Sequence, residues 1–177
     1  VGILRDMRRH RDELFKGVGP DVPDEPVALL RSLCAYLTQS SGREVRLMLE
    51  SFPPDTVSGL WIDMGDFDVV AVEAETSPLH QVVILGHELW HRKEGGCGHH
   101  GSAAGVAAAA RMLGERWSLS EAVARVAART DADVEEERRA EQFGRLLAAK
   151  FRPYLEGRPG RIAADGVAGR IWASLEG

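Results

Sequence analysis

The spacing of apolar residues changes period twice along this chain, and that change limits the fold more than any single residue does. From Ile3 to Gly42 apolar positions recur at helical spacing. From Val45 to Glu73 they alternate or run continuously, as in strands, and from Ser77 to Tyr154 helical spacing returns. A chain of 177 residues is long enough for one domain with a core. The class expected is α+β, with an N-terminal helical pair, a small mostly antiparallel sheet and helices after it.

The details follow from local chemistry. A first helix is expected over Ile3 to Lys16, with Leu4, Met7, Arg11, Leu14 and Phe15 near one face. The Gly/Pro/Asp-rich stretch Gly17 to Asp24 ends it. Pro26 suits the first turn of a second helix, Leu29, Leu30, Leu33 and Leu37 form its buried stripe, and Gly42 stops it. Val45, Leu47 and Leu49 alternate with polar or flexible residues as in a half-buried strand, which Pro53-Pro54 breaks. Leu60 to Met64 and Phe67 to Glu73 read as a hairpin around Gly65-Asp66, and the apolar run Val69 to Val72 suits a central strand. Ser77-Pro78 is a helix start, Ser as N-cap and Pro first inside, and Gly95-Gly96 a stop. Further helices are expected over Ala103 to Leu113, from a capping box at Ser118 and Glu121 to about Arg129, and from Asp133 to about Tyr154. Residues 1–156 then form one domain, the helical pair within 1–42 and the sheet and remaining helices within 43–156, while 157–177 is a weakly patterned tail.

Charge and cysteine content exclude some classes. The formal net charge of -5 argues against direct binding to nucleic acid, which needs a basic surface. The arginines of the first helix are interleaved with Asp6, Asp12 and Glu13, as on a solvated face. Two cysteines, Cys34 and Cys97, make no disulfide framework, so a reducing, cytoplasmic setting is expected. The segment Val1 to Phe15 is too charged for a signal peptide, and no apolar run approaches the ~20 residues that span a membrane.

The chemistry lies in His87-Glu88-Leu89-Trp90-His91. Histidines four apart on a helix share a face one turn apart, so both imidazoles can bind a single ion, and imidazole nitrogen suits zinc. Glu88 points slightly aside, toward a water activated by the ion, from which it can take a proton. A catalytic zinc has three protein ligands, and three sources compete for the third place. Glu137 stands on a helical face with Ala140, Glu141 and Gly144 that Leu147, Ala148 and Phe151 continue inward. The small residues at 140 and 144 would allow close approach to the motif helix. The bland reading makes Glu135, Glu136 and Glu137 a solvated run favourable to the helix dipole. Cys97 lies ten residues after His87, and His99 and His100 follow in a Gly-rich loop.

Between about Leu30 and Phe151 the chain resembles the ImmA/IrrE metallopeptidases. The resemblance is carried by Gly59-Leu60-Trp61-Ile62-Asp63, by Ser77-Pro78-Leu79-His80-Gln81 leading into the His-Glu-Leu-Trp-His motif, and by the Glu-x-x-Ala-acid-x-Phe pattern of Glu137 to Phe143. It implies a zincin-like core, zinc on His87, His91 and Glu137, and Glu88 as catalytic base. Glu141, where the family has Asp or Asn, would orient a ligand imidazole. Gly144 stands where the family favours Ala. The implied activity is zinc-dependent endopeptidase hydrolysis of a protein, a helix-turn-helix repressor being the substrate and partner. The rival expectation is a non-catalytic zinc-binding regulator, or a toxin-like component, acting on such a regulator by binding. His99, His100 and Tyr154 are the candidates for contact with substrate or oxyanion.

Overall fold

A computed structural model describes residues 2–52, 58–94 and 134–157. Within them the order is helix α1 (Gly2–Val18), helix α2 (Pro26–Ser41), strand β1 (Glu44–Glu50), strand β2 (Gly59–Asp63), strand β3 (Phe67–Glu73), helix α3 (Pro78–Lys93) and helix α4 (Val134–Leu155). The fold is α+β. The expected helices between Ala103 and Arg129, the Pro53-Pro54 break, Gly95-Gly96, Asp133 and the tail beyond Gly157 lie outside the described residues. No helix among the described residues is long and apolar enough to cross a membrane.

The punctuation acts as its chemistry requires. Pro26 opens α2, and Glu25 caps it by accepting hydrogen bonds from the backbone N–H groups of Val27 and Ala28. Gly42 closes the helix at φ 70°, a left-handed conformation that suits a residue without Cβ. Ser77 caps α3 through the His80 N–H, with Pro78 next. Between β2 and β3, Gly65 at φ 89° makes the reversal, closed by a bond from Met64 N–H to the Phe67 carbonyl.

The sheet corrects one expectation. Its order is β1-β3-β2, with β2 antiparallel and β1 parallel to β3, so it is mixed instead of mostly antiparallel. The hairpin fixes β2 beside β3. The chain leaving β1 crosses to the far edge before the hairpin returns β3 between the two, and a strand reached that way runs parallel to β1. Burial explains the order, because Asp68 to Val72 are buried, as befits the middle strand. Val70, Val72, Trp61 and Val45 face the helices, whereas Val69, Ala71, Leu60 and Ile62 join Phe52 and Met64 in a smaller cluster of their own.

The helices enclose the larger core. Met7 and Leu14 of α1, Leu29, Leu30 and Leu33 of α2, and Phe143, Leu147 and Phe151 of α4 are fully buried around α3. The N-terminal helical pair is thus part of the same core as the sheet. Trp90 and Phe143 meet at 4.9 Å between ring centroids across the α3–α4 contact, and His10 of α1 stacks on Phe143 at 5.3 Å.

Candidate metal centre

The site is set by how closely α4 crosses α3. Gly86 and Gly144 meet there. A Cβ on Gly86 would lie 2.8 Å from the Gly144 Cα, and one on Gly144 would collide with the Val83 carbonyl and lie 3.2 Å from the His87 nitrogen. The absence of alanine at 144 is therefore a condition of this contact. The crossing brings the first turns of α4 beside the last turn of α3. An ion pair from Arg139 Nη1 to Glu94 Oε1, at 3.0 Å, joins the two ends.

Three of the expected residues come together there. His91 Nε2 lies 3.1 Å from His87 Nε2 and 2.8 Å from Glu137 Oε1, and His87 Nε2 lies 3.7 Å from Glu137 Oε2. These side chains form a His-His-Glu group that could hold a metal ion. The spacing fits one. Ligand atoms at ~2.0–2.1 Å from a tetrahedral centre are ~3.3 Å apart, inside the range of the three observed separations. The chemistry fits too, since two imidazole nitrogens and a carboxylate oxygen are ordinary ligands of a divalent transition ion. His91 is 1% exposed, whereas His87 and Glu137 are 25% and 36% exposed, so the group is anchored on the protein side and open on the other.

Glu88 sits beneath the group. Its side chain faces β2 where Gly59 has none: a Cβ there would lie 3.1 Å from Glu88 Oε1 and collide with Ile84. The backbone N–H of Trp61 donates to the carboxylate. Burial first, and then the charge of Glu137, push the carboxyl up to about 8, with the Trp61 bond working the other way. A cation at the His-His-Glu group would oppose the effect of Glu137, because it stabilises the ionised form.

The remaining expectations divide. Glu141 is exposed and pairs with Arg145 on its own helix, away from both imidazoles of the group. The acid that approaches an imidazole of the group is Glu136, whose Oε1 lies 3.1 Å from His91 Nδ1. The reason is helical phase. The buried residues Ala140, Phe143, Gly144, Leu147, Ala148 and Phe151 define an arc, and at roughly 100° per residue Glu136 and Glu137 flank its centre while Glu141 falls near its edge. Stepping back from Leu147 through Phe143 and Ala140 leads to Glu136, a signal present in the sequence but hidden in an acidic run. Tyr154 is also elsewhere. It lies 17 residues beyond Glu137 on α4, about 25 Å at the helical rise, with its ring 5.9 Å from that of Phe15. It cannot contact an oxyanion at this site. Cys97, His99 and His100 lie outside the described residues.

A second charged group, not foreseen from the sequence, braces α3 from the opposite side. Asp68 of β3 is 2% exposed. Its Oδ1 lies 2.8 Å from Arg43 Nη2, and its Oδ2 lies 3.0 Å from both Nε and Nη2 of Arg92. Arg43 also binds Asp63, and the Arg92 guanidinium lies 4.9 Å from the Trp61 ring centroid. Arg92 directly follows His91, so the turn that carries this histidine is tied to the sheet by its next residue. No family model, curated protein or solved structure matches the chain, so it is this geometry, with the motif that produces it, that characterises the centre.

Proposed function

We propose that this protein is a zinc-dependent endopeptidase that hydrolyses a peptide bond in a protein. The observation carrying this reading is the meeting of a His87-His91-Glu137 group with the buried carboxylate of Glu88, the residue between the first histidine and the second. His87, His91 and Glu137 would hold the ion, leaving a fourth position for water or substrate. Bound zinc supplies Lewis acidity, which acidifies a water and polarises the scissile carbonyl. Glu88 then accepts the proton of the attacking water and returns it to the departing amine. Its buried setting raises its affinity for that proton, as a base working near neutral pH requires. Gly59 and the Trp61 N–H fix its direction. The resemblance to the ImmA/IrrE family adds the substrate class, a helix-turn-helix regulator, as an analogy.

Glu88→Gln separates this reading from action by binding. Glutamine has nearly the same size but cannot take the proton. Zinc content and fold should be kept while cleavage of a regulator encoded beside this gene falls by roughly 10²–10⁴-fold. The assay is a gel of regulator mixed with either protein, paired with release of a repressed promoter in cells. Equal relief of repression by both proteins with no fragment would remove the peptidase assignment.

A further inference from the structure

Resting on that reading of His87, His91 and Glu137 as ligands, we infer that Glu136 is the positioning residue that makes His91 a ligand, by holding the proton of its ring on Nδ1. His91 is gripped at both ring nitrogens by neighbouring residues of one helix. Glu136 Oε1 lies 3.1 Å from Nδ1, and Glu137 Oε1 lies 2.8 Å from Nε2. A carboxylate oxygen at that distance accepts a hydrogen bond, and when an ion takes the lone pairs of Nε2 and of Glu137 the one proton of a neutral ring is left on Nδ1, facing Glu136. A neutral imidazole with its proton there presents a bare lone pair at Nε2, toward His87 and Glu137. Glu136 thereby selects the tautomer that binds a metal through Nε2 and fixes the ring plane.

The placement is specific. His91 is 1% exposed and Glu136 25% exposed, so the bond is sheltered on the histidine side. The Arg139–Glu94 pair holds the same turn of α4 against the end of α3. Glu141, on the edge of the helix with Arg145, makes no comparable approach.

The experiment measures zinc affinity of the full chain by chelator competition, with circular dichroism as the check of fold. Glu136→Ala should weaken zinc binding by ~10–100-fold. Glu136→Gln keeps a carbonyl acceptor without the charge and should recover part of the loss, and Glu141→Ala should match wild type. Long-range nitrogen–proton NMR correlations on the zinc-loaded protein give a readout that a purely structural role would not move. His91 should carry its proton on Nδ1 with a low-field resonance that shifts upfield in Glu136→Gln and further in Glu136→Ala. Wild-type affinity in Glu136→Ala overturns the inference, as does an equal loss in Glu141→Ala. If Glu136→Ala does not fold, Glu136→Gln with wild-type affinity and an unshifted His91 proton overturns it equally. A wild-type chain that takes up no zinc removes the peptidase reading and this inference together, whereas zinc binding indifferent to Glu136 removes the inference alone.

Discussion

His91 and Arg92 are neighbours on α3, yet they serve two clusters that handle charge in opposite ways. Arg92 faces the sheet and meets Asp68, a buried carboxylate that Arg43 also contacts, so the chain supplies the cations itself. His91 faces α4, where the atoms gathered around it are imidazole nitrogens and a carboxylate oxygen, the donor types that bind metals. The first cluster has the composition of a brace and the second that of a receptor. A buried charge is therefore uninformative about function until its partners are named.

The comparison is broken most directly by exchanging the roles. Glu137→Ala should cost more zinc affinity than the ~10–100-fold typical of outer partners, with little change in the stability of the metal-free protein. Asp68→Asn should do the reverse. It leaves two guanidinium groups without their shared carboxylate and should cost about 3 kcal/mol, the low end for a broken buried pair because both arginines are partly exposed. Its effect on zinc affinity should stay under about tenfold. Chelator titration and urea unfolding of both variants give the answer, and a zinc-deficient Asp68→Asn would show that the two clusters are one.

A second prediction bears on the crossing that assembles the receptor. Gly144→Ala puts a methyl group against the Val83 carbonyl and should force α4 away from α3. Overpacking of this kind costs ~1–3 kcal/mol, and zinc affinity should fall with it because Glu137 rides on the same helix. Unchanged affinity with unchanged stability would mean that the glycine contact does not set the site.

A third uses pH. Glu88 holds its proton in the folded metal-free protein up to about 8, above its ordinary value of 4.5. Between those values the unfolded chain has released a proton that the folded one retains, so the contribution of Glu88 to stability is greatest at the acid end and falls as pH rises, against the opposite contribution of His10, whose imidazole burial holds below its ordinary value. Thermal melts of chelator-treated protein from about pH 5 to pH 8 should show that decline. Glu88→Gln should flatten this contribution, and added zinc should reverse it by favouring the ionised carboxylate. The Asp68 cluster provides the contrast, since Asp68→Asn should leave the slope in place. A slope that survives Glu88→Gln would assign it to another group.

The smallest effect is expected at Glu141, which the family resemblance singled out, and at Cys97, which spacing singled out. Glu141→Ala should leave zinc affinity within about twofold of wild type, as surface changes usually do, and Cys97→Ser should do the same because His87, His91 and Glu137 already supply three ligands. A loss at Cys97 would change the ligand set itself.

Among the described residues, the sequence by itself determined the elements that depend on neighbours a few residues apart. Helical spacing, the Pro26 and Ser77-Pro78 starts, the Gly42 stop and the Gly65 turn all act within a turn or two of the chain, and the elements formed where they direct. The pairing of His87 with His91 is of the same kind, because a helix puts residues four apart on one face. What the sequence left open depends on contacts between distant segments. The Glu135 to Glu137 run reads locally as a solvated helix start. Only the Gly86–Gly144 contact turns Glu137 toward both histidines and Glu136 toward the far nitrogen of one, while leaving Glu141 outside. The parallel pairing of β1 with β3 and the bridging of Arg43 and Arg92 by Asp68 were hidden for the same reason. Periodicity states which face of an element is buried, but the partner and the rotation about the axis are set by packing, and at roughly 100° per residue a small rotation decides which carboxylate reaches the two histidines.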